Sequence, residues 1–174
     1  SNCYFEEDLL ALSHLVDLAE SESVYDLATV IMDKMFLTMA LNSYKGVFGS
    51  SHGRTYTRYI KGGRREGTSG LERIAWGMGC FNESLRGTVS LACAKSYTVH
   101  DLLYAVAIDK PEEMWNRERH GVGSKGETID ADDGLTWGVD KVTYKTPDYM
   151  LASAQDYHPG DKGCQEHIWQ ATMG

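Results

Sequence analysis

The sequence has no long apolar run, no closely paired cysteines and none of the common catalytic signatures. Charged residues interrupt each apolar stretch before it reaches the roughly 18 residues of a membrane-spanning helix, so we expect no membrane partner. The four cysteines form no C-x-x-C pair, which argues against a disulfide framework and a zinc site. No H-E-x-x-H, Walker or G-x-S-x-G motif occurs, and we predict neither a metal site nor a cofactor.

Acidic side chains outnumber basic ones in this chain. Lys and Arg total 17 and Asp and Glu total 25, which gives a net charge of −8. An acidic chain repels phosphate backbones, so we expect no nucleic-acid partner. Basic residues nevertheless gather between Arg54 and Arg73, where Glu66 and Glu72 are the only acidic residues. This stretch is either a solvated loop or a surface that meets an anionic ligand.

The N-terminal part of the chain has the clearest helical pattern. Hydrophobic residues make up 42% and charged residues 24% of the chain, as in globular proteins. Apolar residues recur at helical spacing from Phe5 to Ala19 and from Val24 to Met39. Because the link between them is short, the two helices should pack as an antiparallel αα-hairpin. Further helices are predicted from Ser69 to Met78, after Thr98, and from Pro111 through Trp115, and a less clear apolar stretch runs from Leu85 to Ala94.

The pattern changes from helical to strand-like after His120. A glycine-rich loop over 121–126 precedes three predicted strands, at Val142–Tyr144, Tyr149–Ser153 and His167–Thr172. Three strands cannot bury a sheet face alone, so we expect the natural protein to continue into a β domain that this sequence lacks. The predicted organisation is a helical-hairpin region over 1–120 and the start of a β-sandwich-like region over 121–174.

A long glycine-rich loop is predicted between Gly46 and Gly70. Loops of this length in compact domains are usually functional or disordered. This one places His52, Arg54 and Tyr56 within five residues of each other. A histidine and a tyrosine can exchange protons, and an arginine can neutralise a carboxylate. The alternative is that His52 and Arg54 only hydrogen-bond the loop to itself.

A second candidate region lies in the predicted strands. The segments 144–160 and 165–170 are rich in aromatic side chains and in Gln, Asp and His. Aromatic faces stack on sugar rings, and the polar side chains can bond sugar hydroxyls. The alternative is a sheet with aromatic cross-strand pairs, which we favour for Tyr149 and Trp169.

Four motifs together resemble a known family. They are the His52-Gly53 pair on a loop after a helical hairpin, the run 144–153 (YKTPDYMLAS), and the runs 155–160 (QDYHPG) and 167–172 (HIWQAT). This combination resembles the heparinase II/III-like polysaccharide lyases and their uncharacterised relatives, which pair an α/α toroid with a β-sandwich. The resemblance implies a mainly α fold, with antiparallel helical hairpins of a partial α/α toroid followed by a short antiparallel β region.

The resemblance also implies a function and a site. Such lyases act on acidic, uronate-containing oligo- or polysaccharides by β-elimination. It implies that His52, Tyr56 and His167 are catalytic and that Arg54 neutralises the uronate carboxylate. The predicted substrate-binding set comprises Arg54, Arg58, Tyr44, Gln165 and Trp169. The family often has Asn-His at the loop, whereas this chain has Ser51-His52.

Two other functions fit the same residues. A glycoside hydrolase on an α/α toroid scaffold needs two carboxylates about 5–10 Å apart, and the available carboxylates are Glu66, Glu72, Asp148, Asp156 and Glu166. A non-catalytic carbohydrate-binding or structural fragment needs only an exposed aromatic platform. Convergence of His52, Arg54 and Tyr56 favours the lyase.

Overall fold

A computed structural model describes residues 2–120, 130–131, 134–135, 139–155 and 165–174. The predicted loop over 121–126, the residues 156–160 of the QDYHPG run and the candidate carboxylate Asp156 lie outside these ranges. The predicted division of the chain at residue 120 stays a prediction.

Helices form the N-terminal half of the chain. They are α1 (Phe5–Leu18), α2 (Glu22–Asn42), α3 (Thr57–Ile60), α4 (Gly67–Trp76), α5 (Arg86–Cys93) and α6 (Asp101–Ile108), with short 3-10 turns at Asn2–Tyr4 and Gly63–Arg65. The predicted pairing of the first two helices is confirmed, since α1 packs against α2. In the described part of the chain, no helix combines the length and hydropathy that crossing a membrane requires.

A single apolar core holds the helices together. Phe36 of α2 is fully buried at its centre. The Phe36 ring meets Trp76 of α4 edge-on at 6.1 Å and stacks on Tyr97 at 5.9 Å between ring centroids. Such offset and edge-to-face contacts add to the stabilisation from burying apolar area. We call this cluster, with Leu9, Met32, Met39 and Leu71, the helical core.

The described residues form eight strands, most of them after residue 113. They are β1 (Ser43–Tyr44), β2 (Val47–Phe48), β3 (Met114–His120), β4 (Asp130–Ala131), β5 (Gly134–Leu135), β6 (Val139–Lys145), β7 (Tyr149–Gln155) and β8 (Trp169–Met173). The strands β3, β6, β7 and β8 form one antiparallel sheet in that order. Two small antiparallel hairpins, β1–β2 and β4–β5, lie outside this sheet.

The buried face of the four-stranded sheet carries polar side chains beside apolar ones such as Met150 and Ala152. Lys141, Thr143 and Lys145 alternate along β6 and are buried. The opposite face carries Trp115 and Trp169, which are 59% and 63% exposed. These polar side chains can be buried because Thr143 and Lys145 bond to the end of α2 and Lys141 pairs with Glu118.

The mainly α fold with a partial toroid is wrong. The described residues form an α/β mix, with six α-helices and a four-stranded antiparallel sheet. The helices α4, α5 and α6 have only 10, 8 and 8 residues, which is too short for a series of long hairpins. The helix predicted from Pro111 through Trp115 is also wrong. Strand β3 starts at Met114 and pairs with β6 along its whole length.

Candidate functional site

The loop that carries His52 is fixed at both of its ends. It follows the β1–β2 hairpin, whose turn places Lys45 and Gly46 at positive φ angles of 50° and 82°. A side chain at Gly46 would collide with the backbone of Gly79, because an added Cβ would lie 2.0 Å from its nitrogen. Only glycine combines this φ with so close an approach. At its other end the loop continues into α3.

The two predicted site segments lie side by side. The amide of His52 donates to the carbonyl of His167 at 2.8 Å, and the amide of His167 donates back at 2.9 Å. The amide of Thr55 donates to the carbonyl of Gln165 at 2.8 Å. These bonds join residues more than a hundred positions apart in the sequence. The structure therefore brings together the loop and strand regions that sequence reasoning singled out separately.

His52 is buried against an aromatic ring and a carboxylate. Its ring meets Phe48 edge-on with centroids 5.4 Å apart. Its Nε2 lies 3.2 Å from Oε1 of Glu66, and both side chains are almost fully shielded from solvent. The contact has ion-pair distance but lacks the alignment of a hydrogen bond. The hydroxyl of Thr55 also approaches the same Glu66 oxygen, at 3.4 Å.

His167 is more accessible than His52 and sits beside it. The two imidazole centroids are 6.1 Å apart. Burial lowers the pKa of His167, and the neighbouring His52 lowers it further. His167 is therefore neutral near pH 7, the state in which an imidazole accepts a proton. On its other side lies Trp169, whose ring stacks with it at 6.5 Å.

Arg54 and Tyr56 form a cluster in the same loop, in which Tyr56 is exposed and Arg54 is half-buried. Arg54 donates from Nη2 to the Tyr56 hydroxyl at 2.8 Å and from Nη1 to the Tyr4 hydroxyl. Its guanidinium also lies over both rings, 5.4 Å from the Tyr4 centroid and 5.7 Å from the Tyr56 centroid. The Tyr56 hydroxyl raises the pKa of Arg54, so the cation persists at any physiological pH. A phenol and a fixed cation thus face solvent together.

Two predicted substrate-binding residues make different contacts. Tyr44 is buried, and its hydroxyl donates to the carbonyl of Pro147 at 2.6 Å. That bond ties the β1–β2 hairpin to the turn between β6 and β7. Arg58 is exposed and lies over the ring of Tyr59 at 4.5 Å. Substrate binding by both residues stays a prediction.

Sequence reasoning did not predict that Glu66 lies beside His52. It named Glu66 only as one of several carboxylates that a hydrolase could use. In the structure it immediately precedes α4 and contacts His52. The sequence held one usable signal, because a carboxylate directly before a helix is favoured by the helix dipole. Its contact with His52 depends on tertiary packing and has no local signature.

The candidate carboxylates give little support to a hydrolase. Glu72 is fully buried and accepts a 2.6 Å hydrogen bond from Ser43. Burial raises the pKa of Glu72 to about 8, so it is neutral and enclosed near pH 7. Glu66 is buried beside His52, and Asp148 and Glu166 are exposed.

The described residues form no group of three or more His, Cys, Asp or Glu side chains that could hold a metal ion.

Comparison of the chain with protein-family models, with curated proteins and with solved structures found no match.

Proposed function

We propose that this chain takes part in cleaving an acidic, uronate-containing glycan by β-elimination. The observation that carries the proposal is the pairing of His52 with His167. The two histidines come from distant parts of the sequence and exchange two backbone hydrogen bonds. Arg54 and Tyr56, which the same chemistry needs, lie on the same loop as His52.

The elimination needs a base, an acid and a cation. A base removes the C5 proton of the uronate, and the electrons of that C–H bond form a C4–C5 double bond. The C4–O bond to the next sugar breaks, and the departing oxygen takes a proton from the acid. His167 suits the base because its lowered pKa keeps it neutral. Tyr56 suits the acid, since a phenol hydroxyl can donate its proton.

Arg54 suits the role of the cation. Negative charge accumulates on the uronate carboxylate as the C5 proton leaves, and a fixed cation stabilises it. The Arg54 guanidinium is held in place by the hydroxyls of Tyr4 and Tyr56. His52 lies behind His167, because it is 5% exposed whereas His167 is only partly buried. We therefore place His52 as a support for His167 more than as a direct contact to substrate.

A basic surface next to this site suits a polyanion. Exposed cationic side chains follow the His52 loop at Arg58, Lys61, Arg64 and Arg65. The chain as a whole is acidic, with a net charge of −8. A local cationic surface on an acidic protein attracts anionic ligands over about 10 Å at moderate salt, and salt weakens that attraction. Cleavage of a uronate polymer should therefore slow as salt is added.

The proposal is tested by single substitutions in the two histidines. The assay follows the ultraviolet absorbance of the unsaturated uronate on a panel of alginate, heparan, chondroitin and pectin. We expect His167→Ala to lower kcat by about 100-fold or more, because a general base contributes 10²–10⁴-fold. His14→Ala is the matched control, since His14 is exposed on α1 and bonds only its own helix in the described structure. Equal rates for His167→Ala and wild type would contradict the proposal.

Glycan binding without catalysis is a second candidate. The exposed sheet face places Trp115 next to Tyr144 at 4.6 Å between centroids, and Tyr144 next to Tyr149 at 6.0 Å. Exposed aromatic rings of this kind stack on sugar rings. Calorimetry with uncleaved oligosaccharides distinguishes the two candidates. Binding that Trp115→Ala removes, with no unsaturated product from wild type, favours this second function.

A further inference from the structure

We propose that Glu66 is a positioning residue that fixes the orientation and tautomer of His52 beside His167. This inference rests on the proposed function, because it assigns Glu66 a purpose within the elimination. Glu66 itself touches no substrate in this account, since it is 5% exposed.

The first support is the enclosure of the pair. Nε2 of His52 lies 3.2 Å from the Glu66 carboxylate, and the two side chains are 2% and 6% exposed. Charges interact far more strongly in such a shielded place than in water. A carboxylate beside one ring nitrogen favours the tautomer with the proton on that nitrogen. The proton of a neutral His52 should therefore reside on Nε2.

The second support is the rigidity of both partners. The backbone of His52 is held by its two bonds to His167, and its ring is held by Phe48. The carbonyl of Glu66 accepts bonds from the amide of Ser69 and from the side chain of Asn82 at 2.6 Å. Glu66 also stands at the positive end of the α4 dipole, which stabilises a carboxylate. These contacts fix the backbones of both residues and the ring of His52.

The third support is the free nitrogen that this arrangement leaves. With the proton on Nε2, Nδ1 of His52 becomes a hydrogen-bond acceptor. In the part of the chain that the structure describes, neither ring nitrogen makes an aligned hydrogen bond, and Nε2 is the one with a carboxylate at ion-pair distance. His167 is the neighbouring imidazole, with centroids 6.1 Å apart. Glu66 thus prepares His52 to receive a hydrogen bond from a protonated His167, directly or through water.

The experiment compares two buried glutamates near the start of α4. Glu66→Gln keeps the size of the side chain and removes its charge. Glu6→Gln is the matched control, because Glu6 is also buried, packs beside Gly67 and bonds the amide of Gly87. Glu66→Asp keeps the charge on a shorter side chain. For each variant, kcat and KM are measured on the uronate that wild type cleaves best. Nitrogen NMR records the tautomer of His52 in the absence of substrate.

We expect Glu66→Gln to lower kcat by about 100-fold with little change in KM, which is less than the roughly 10⁴-fold loss when an orienting carboxylate contacts the catalytic histidine directly, because Glu66 acts through His52. The nitrogen shifts of His52 should change in Glu66→Gln and stay at wild-type values in Glu6→Gln. Glu66→Asp should recover part of kcat and the wild-type tautomer.

Other results would overturn the inference. Wild-type kcat and unchanged His52 shifts in Glu66→Gln would remove Glu66 from the mechanism and leave the proposed function intact. A wild-type protein that cleaves no uronate would overturn the proposed function and the catalytic purpose of Glu66 together. In that case the His52 shifts in Glu66→Gln would still decide whether Glu66 orients the ring.

Discussion

The helical core and the junction between helices and sheet are held together by different physics. The helical core consists of apolar side chains such as Leu9, Met32 and Phe36, all fully buried. The junction, where α2 and α4 meet the inner face of the sheet, consists of buried polar side chains. Its members are Asn42, Glu72, Glu118, Lys141, Thr143 and Lys145. Burial of apolar area is non-directional, whereas the junction depends on particular bonds and charges.

Asn42 is the centre of the junction. It is fully buried at the last position of α2. Its side chain donates to Glu118 at 2.6 Å and to the carbonyl of Thr38 at 2.9 Å, and it accepts from Thr143 at 2.7 Å. A buried amide with three bonds specifies one register between helix and sheet. The junction therefore sets where the sheet, and with it His167, sits relative to the His52 loop.

Two carboxyl groups of the junction have pKa values that are shifted in opposite directions. Burial raises the pKa of Glu72 to about 8. Burial also acts to raise the pKa of Glu118, but bonds from His120 and Asn42 and the charge of Lys141 outweigh it and hold the pKa at about 2. The difference comes from donors, since Glu118 has several and Glu72 accepts mainly from Ser43. Stability of the junction must therefore depend on pH, while that of the helical core should not.

The largest effect should come from a cavity in the helical core. Phe36→Ala removes a ring that contacts Trp76 and Tyr97, and we expect the free energy of unfolding to fall by about 4 kcal/mol. Leu37→Ala is the control, because Leu37 is 40% exposed on the same helix and should lose less than about 1 kcal/mol. Urea denaturation measures both. Equal losses would contradict the position of the core.

A smaller effect is expected from Asn42→Ala at the junction. The substitution leaves Thr143 and one oxygen of Glu118 without their bonds to α2, and we expect a loss of about 3 kcal/mol. Asn116→Ala is the matched control, because Asn116 donates to the same Glu118 oxygen at 2.8 Å from a less buried position. It should lose about 1 kcal/mol. A loss for Asn42→Ala no larger than for Asn116→Ala would show that the junction does not rely on Asn42.

Glu118→Gln should destabilise the protein by about 2 kcal/mol near pH 7. The folded pKa of Glu118, about 2, is below the ordinary value of 4.5. Its ionised form therefore contributes stability above about pH 4.5, and this contribution is lost as pH falls toward 2. Denaturation at a series of pH values should show the wild-type and variant curves converging on acidification. Parallel curves over that range would contradict the assignment.

Glu72→Gln should change stability with the opposite sign. The folded pKa of Glu72, about 8, is above its ordinary value of 4.5. The stability that its neutral form supplies is complete below about pH 4.5 and is lost as pH rises through 8. The amide cannot ionise and can still accept from Ser43. We expect Glu72→Gln to match wild type near pH 4 and to become progressively more stable than wild type as pH rises from about 4.5 toward 8. A loss of stability near pH 7 would indicate that Glu72 is charged in the folded protein.

The sequence predicted regular elements well where one face is apolar. The periodic residues of α1 and α2 identified both helices, and the strands at 142–144, 149–153 and 167–172 lie in or overlap β6, β7 and β8. Strand β3 was missed because its inward residues, Asn116 and Glu118, are polar. A strand is recognised in a sequence by the alternation of polar residues with apolar ones that form its buried face. Their partner, Asn42, lies far away in the sequence, so no local pattern could show that a polar face is satisfied there.

The candidate site was predictable only in its parts. The residue types of His52 and His167 suggested acid–base chemistry. The two residues are neighbours only because a loop pairs through its backbone with the segment before β8. The contact between Glu66 and His52 has the same origin. Such contacts are set by how α4 and the sheet pack against one loop, and single-sequence patterns contain no information about that packing.

The most direct test of the central claim counts two products in the same reaction. Wild-type protein is incubated with each uronate polymer, and unsaturated uronate ends and new reducing ends are measured together. β-Elimination produces one unsaturated end for each new reducing end, so the account predicts that the two rise in equal numbers. Reducing ends that rise without unsaturated ends would show hydrolysis and contradict the roles given to His167, Tyr56 and Arg54.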